Sequence, residues 1–282
     1  SSFFYADRFF KSLNSEAYFR TGIAFLNHDK RTKKWIEKLK MLNRDDLFVF
    51  SDEKNATGYE NFKGVIFNHG GYLDPIKINE CLIKHKNISV NKKYEFKSFD
   101  STSSSVTLHF QDSKELTFDY LVLAHGAGLI NFSNYLALSK GQLAGAKISD
   151  SIHMPINSNG YILPLKDGVN WIGSSYENQF QNMNINKNKL QEMVEFQSDQ
   201  FNLKNPQNEP DSKAQIRVIS KDKLPLTGQY KDNKNVFLLG GLGSRGFCYG
   251  PILGDHVASL ISNNVSPLEK IIADSLEPNR FK

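Results

Sequence analysis

Near the carboxyl end the run Leu238-Leu239-Gly240-Gly241-Leu242-Gly243-Ser244-Arg245-Gly246 joins an apolar strand to a glycine-rich turn, and Gly250-Pro251 and Gly254 follow. Backbone amides at such a strand-to-helix turn can face an anion or a flat, electron-rich ring, and the helix dipole adds to their pull. Glycine allows the approach because a Cβ would stand in the way. A second apolar run, residues 118–124, stops at His125-Gly126-Ala127-Gly128, as a buried parallel strand does when its carboxyl end reaches a ligand crevice. Two such strand ends can converge on one ligand, which makes Gly126, Gly128, Gly241, Leu242, Gly243, Ser244, Arg245 and Gly246 candidate contacts. On its own, the 238–246 segment also reads as a tight turn with no ligand. Neither turn matches the full dinucleotide fingerprint, Gly-x-Gly-x-x-Gly at the start of a βαβ unit with an acidic residue about 20 positions on.

Arg217 lies in Ala214-Gln215-Ile216-Arg217-Val218-Ile219-Ser220, an alternating segment that predicts a strand. A planar guanidinium carried inward would suit bidentate capture of a carboxylate, and one on an edge strand would be an ordinary surface group. Tyr72, Tyr161, Tyr176 and Tyr249 could stack on a flat ligand or simply be core. His69, His125 and His153 form no Ser, His and Asp series, and no carboxylate pair suggests hydrolysis, so the catalytic side chain stays unknown. Cys81 and Cys248 lie far apart without zinc-ligand spacing; both are expected as core thiols, with no metal.

These residues need elements to hold them. Helices are predicted over residues 3–19, 32–42 with Thr32 as N-cap, 75–85 opened by Asp74-Pro75, 187–201 and 251–261. Strands are predicted over 22–27, 64–67, 88–96, 106–110, 115–116, 118–124, 141–148, 160–165, 169–174, 214–220 and 236–239. The middle of the chain reads as a mainly antiparallel sheet, and the apolar strands before and after it as parts of a second domain. Two interleaved domains result, residues 56–129 with 226–282, and residues 1–55 with 130–225. The fold class is mixed α/β.

Hydrophobic residues at 39% and charged residues at 23% fit a packed globular chain rather than a disordered one. No apolar run is long enough for a bilayer, and a cytoplasmic setting is expected. The excess of 35 Lys and Arg over 30 Asp and Glu suits an anionic partner or a plain lysine-rich surface. The chain begins at Ser1-Ser2 without an initiator Met, from which we expect a truncated polypeptide.

Taken in order, several segments carry a family likeness: Gly64-Val65-Ile66-Phe67-Asn68-His69-Gly70-Gly71-Tyr72-Leu73-Asp74-Pro75, residues 119–128, Gly141-Gln142, Asn159-Gly160-Tyr161-Ile162-Leu163-Pro164, Ile172-Gly173-Ser174-Ser175-Tyr176, Arg217, residues 221–228 and the 241–246 turn. They resemble the FAD oxidoreductase half of the bifunctional tRNA 5-methylaminomethyl-2-thiouridine biosynthesis family, in the wider D-amino-acid oxidase and glycine oxidase class. The resemblance implies a Rossmann-like FAD domain that here lacks its first βαβ, interleaved with the antiparallel substrate domain. It implies removal of a carboxymethyl group from a wobble uridine, with tRNA and a fused or separate methyltransferase as partners. It further implies Arg217, Tyr161 and Arg245 at the substrate and residues 241–246 with Gly126 and Gly128 at FAD. A free glycine- or sarcosine-type oxidase, or a non-catalytic remnant that binds RNA or protein, are the alternatives.

Overall fold

The computed structural model describes residues 2–13, 16–51, 56–59, 62–200, 211–231 and 233–281. In chain order α1 (Ser2–Ser12) precedes β1 (Tyr18–Phe19), β2 (Ile23–Leu26), α2 (Lys30–Lys40), β3 (Phe48–Ser51), β4 (Gly64–Phe67), β5 (Tyr72–Leu73) and α3 (Pro75–Ile83). A meander of β6 (Phe96–Ser101), β7 (Val106–Phe110) and β8 (Glu115–Phe118) leads to β9 (Leu121–Leu123) and a 3-10 turn at Gly126–Asn131. The middle holds β10 (Leu136–Ala146), β11 (Ile156–Asn157), β12 (Tyr161–Ile162), β13 (Asn170–Gly173) and α4 (Lys187–Gln200). Then come β14 (Asp211–Ser220), β15 (Leu226–Gln229), β16 (Val236–Gly240), α5 (Gly246–Ile261) and α6 (Lys270–Leu276).

Two units divide the chain: Ser1–Asn14, Glu80–Ser139 and Ile216–Lys282 form the first, Ser15–Asn79 and Lys140–Gln215 the second. The units change over at residues 14/15, 79/80, 139/140 and 215/216, where the sequence-based reading changes at 55/56, 129/130 and 225/226. Residues 1–14 join the first unit because α1 packs on α5, with Tyr5 donating to Asp255 and the Phe10 and Phe247 rings 6.1 Å apart. Residues 64–67 join the second because β4 pairs with β2. The strands β10 and β14 each carry the chain from one unit to the other.

In the second unit the sheet runs β14-β10-β13-β12-β11-β2-β4-β3, antiparallel throughout the described registers except for the parallel β11–β2 pair. Ala24, Ala144, Ile156, Ile162 and Ile172 are fully buried along it, and Leu190 and Val194 of α4 pack onto them. In the first unit β15 pairs antiparallel with β16, and β16 pairs parallel with β9, beside the β6-β7-β8 meander. Leu123, Leu226, Val236 and Leu238 are its buried centre.

Several local expectations are corrected. The first helix stops at Ser12 because residues 18–19 are extended against β5. The cap of α2 is Asp29, whose carboxylate accepts from the Thr32 amide at 2.6 Å, so the helix starts two residues before Thr32. The strand expected over 88–96 instead begins at Phe96. Helix α5 starts at Gly246, with Pro251 inside it; the proline lacks an amide, so Phe247 loses its usual i+4 donor without ending the helix. Cys248 is exposed and Cys81 half-buried, so neither is a core thiol. The predicted helix end at residue 201 lies outside the described residues.

Candidate functional site

Because β9 and β16 are parallel neighbours in the register Leu123↔Leu238, the chain leaves both strands at the same edge of the sheet. The turns at 124–128 and 241–246 therefore emerge side by side, one strand spacing of about 4.8 Å apart. They also touch: a Cβ on Gly240 would lie 2.1 Å from Leu129 Cδ1, and Leu129 is 1% exposed. Gly126, Gly241 and Gly243 have φ of +61°, +67° and +55°, a region that costs other residues about 1–2 kcal/mol. Around Gly126 there is open space, with nothing within 4 Å of an added Cβ, and the same holds at Gly250 and Gly254. Gly246, Gly250 and Gly254 recur every four residues and so share one side of α5. The backbone at this strand edge is thus bare and reachable.

The end of β14 closes on the same turn. Ile219 and Leu242 form an antiparallel bridge, and Ile219 Cγ1 lies 3.6 Å from where a Cβ on Gly243 would be. Arg217 is two residues earlier, half-buried, and shares the strand face of Ile219 by the two-residue period. Arg245, exposed, donates to the Tyr249 hydroxyl at 3.0 Å with its guanidinium 5.8 Å from that ring. Beyond β14, Asp222 receives both Nε and Nη2 of Arg280 at 2.8 and 2.9 Å, and also accepts from Ser220. The Arg280 hydrogen bonds, against the opposing effect of burial, bring the Asp222 carboxyl down to about 2. Asp222 thereby anchors the carboxyl-terminal segment.

His125 sits at the first turn with its ring edge-on to Phe132, 5.3 Å between centroids, and burial lowers its pKa. Its Cδ2 lies 2.3 Å from a Cβ position on Gly128, so a side chain there would displace the imidazole. A cavity of about 370 Å³ in the same unit is lined by Phe132, Tyr135, Tyr230 and Phe281 among others, and by none of the turn glycines. Among the described residues no group of His, Cys, Asp or Glu could hold a metal ion, and no helix is long and apolar enough to cross a membrane.

Tyr161, Tyr176 and Tyr72 belong to the second unit. Tyr161 faces Gly173 across β12 and β13, its hydroxyl 2.5 Å from a Cβ position there. Tyr72 stacks on Phe19 at 4.7 Å, and Tyr176 is 60% exposed. Sequence reading missed the network beside Tyr176. Glu177, 5% exposed, accepts from Gln142 at 2.7 Å and Ser175 at 3.0 Å, with Lys140 Nζ 3.9 Å away. Burial alone would raise the Glu177 pKa; these hydrogen bonds and the charges of Lys140 and Lys189 lower it. The sequence signals were the Gly141-Gln142 pair and the Ile172–Tyr176 segment that holds Ser175.

The first unit's cradle suits FAD: glycine backbone without Cβ atoms at two adjoining strand ends, open space above Gly126, and a helix amino terminus. The family model for FAD dependent oxidoreductases matches residues 3–260. Among curated proteins, the tRNA 5-methylaminomethyl-2-thiouridine biosynthesis bifunctional protein MnmC of Shewanella baltica (strain OS185) is 22% identical, covering 92% of this chain and 45% of that protein. The chain thus spans about half the length of the curated relatives it matches. Of solved structures, glycine oxidase from Bacillus cereus ATCC 14579 has a TM-score of 0.77 at 16% identity, covering 93% of this chain and 82% of that one. Iminodiacetate oxidase from Chelativorans sp. BNC1 has a TM-score of 0.81 at 14% identity, covering 98% and 82%. At such identities these structures speak for the fold, and the match over residues 3–260 for the family: the chain belongs to the FAD dependent oxidoreductases, whose cofactor is FAD.

Proposed function

We propose that the chain is the FAD-dependent part of an enzyme that removes the carboxymethyl group from 5-carboxymethylaminomethyl-(2-thio)uridine at the tRNA wobble position. The observation that carries the reading is the Ile219–Leu242 bridge, which ties the strand of Arg217 to the second glycine turn. A guanidinium on that strand suits a glycine-like carboxylate held beside the cofactor. The name borne by the curated relatives and the order of the motifs support the same substrate.

FAD, when bound, supplies the two-electron acceptor. The chain's own groups bind and orient. Gly126, Gly128, Gly241, Leu242, Gly243, Ser244, Arg245 and Gly246 offer backbone to the cofactor, Arg217 holds the substrate carboxylate, and Arg245 meets carboxylate or RNA phosphate. The substrate loses a hydride from the glycyl carbon and a proton from nitrogen; water then cleaves the imine into glyoxylate and the 5-aminomethyl uridine. An amine that arrives neutral needs no side-chain base for the hydride step. A fused or separate methyltransferase would take the product, in the cytoplasm.

The test is glyoxylate release from tRNA carrying the modified uridine, with FAD-loaded protein. Stoichiometric glyoxylate and aminomethyl-uridine are expected. Faster turnover of free glycine or sarcosine would favour a free amino-acid oxidase, and turnover of none of these would sink the enzymatic reading.

A further inference from the structure

Helix α2 carries Lys30, Arg31, Lys33, Lys34, Lys38 and Lys40 against one acid, Glu37. All six cations are exposed. Only Lys40 has a carboxylate partner among the described residues, Glu37 at 2.8 Å. Lys30 and Lys34, and Lys34 and Lys38, are like charges four apart, which repel on a helix surface. The first turn holds no acid, so Lys30, Arg31 and Lys33 also stand against the positive end of the helix dipole. The helix persists because Asp29 caps it and its other face is packed: Ile36 is 3% exposed, and Trp35 and Leu39 lie against Phe48 and Val65. A surface this unfavourable to itself is relieved by a polyanion.

We infer that α2 is a docking surface for the phosphate backbone of RNA, and, resting on the function proposed above, that the RNA is the tRNA substrate. The same packing argues against a membrane. A basic helix on a bilayer must sink an apolar face among the acyl chains, and the apolar face of α2 is already buried on β3 and β4. A phosphate backbone asks only for cations, and it releases counterions when they arrive.

The experiment compares the FAD-loaded 282-residue chain with a K33Q/K34Q/K38Q variant and a control, K86Q/K92Q/K93Q, which removes the same charge from exposed positions of the first unit. Circular dichroism and melting first establish that all three fold alike, as exposed substitutions should. Binding to unmodified tRNA is measured by anisotropy over a salt series. The α2 variant is expected to bind about 10- to 100-fold more weakly, with a salt slope shallower by about two to three, and the control to stay within about twofold. Equal loss in both variants would reduce the effect to net charge and overturn the inference, as would no loss in either. Tighter binding of the parent to polyglutamate or to anionic phosphatidylserine vesicles than to tRNA would overturn it too. Oxidation of the free modified nucleoside should be the same in all three. If α2-dependent tRNA binding is seen while neither nucleoside nor tRNA is oxidised, the proposed function fails and the docking surface stands.

Discussion

Leu129 fills the place a side chain on Gly240 would need, so the turn after β9 and the end of β16 meet at a residue whose side chain would have to displace a buried leucine. Gly240→Ala should therefore cost about 1–3 kcal/mol, as overpacking of a close-packed site does. Denaturant unfolding of the apo chain measures it; a cost under about 0.5 kcal/mol would mean that Leu129 moves aside freely.

Gly246 offers the opposite case. Its φ of −52° is helical and an added Cβ would meet only Leu242 Cδ1 at 4.0 Å. Gly246→Ala should raise apo stability slightly, by about 0.4–1 kcal/mol. FAD affinity should still fall about tenfold or more, since the methyl would stand where the ring or pyrophosphate approaches. Unchanged flavin affinity in an equilibrium titration would move the cofactor away from this turn.

Arg217→Lys keeps a cation and loses the bidentate fork. With the carboxymethyl substrate KM should rise about 10- to 100-fold, the range for one charge-assisted contact of about 1.5–3 kcal/mol. With a substrate analogue whose carboxylate is replaced by methyl, parent and variant should become equal. A persistent difference on the analogue would assign Arg217 to the fold and not to the carboxylate.

Acid should weaken the first unit in two separate windows. The ordinary value of the Asp222 carboxyl is 3.8 and its folded value about 2, so its ion pair with Arg280 contributes fully above pH 4 and is lost as pH falls toward 2. At pH 7 Asp222→Asn should cost about 1–2 kcal/mol, discounted because the carboxylate is 32% exposed, and the gap to the parent should close at acid pH. His256 acts earlier. It is 2% exposed, its Nδ1 is 2.7 Å from Ser266 Oγ, and burial lowers its pKa below the ordinary 6.5. In that interval the unfolded chain binds the extra proton, so stability falls as pH drops from 7. Urea midpoints of parent, D222N and H256Q between pH 7 and pH 3 separate the windows. A pH-independent D222N difference would rule out the ion pair as the source.

Local chemistry that needs no distant partner was legible in the sequence. Asp74-Pro75 opens α3, with the Asp74 carboxylate accepting from the amides of Ile76 and Lys77 at 3.1 and 3.2 Å. The apolar run over 236–239 became β16, while that over 118–124 divides, Phe118 closing β8 and only Leu121–Leu123 forming β9, with Val122 exposed. The glycines themselves, and Arg217 on a strand, were visible one by one. What the sequence did not contain was adjacency. That β9 and β16 lie in parallel register, that Leu129 covers Gly240 and that Ile219 meets Leu242 all join residues far apart in the chain, and such pairings are chosen by the packing of the whole core. For the same reason α5 runs through Pro251 and Asp29 displaces Thr32 as the cap: one lost hydrogen bond or one better oxygen is a small term beside the burial of a helix face.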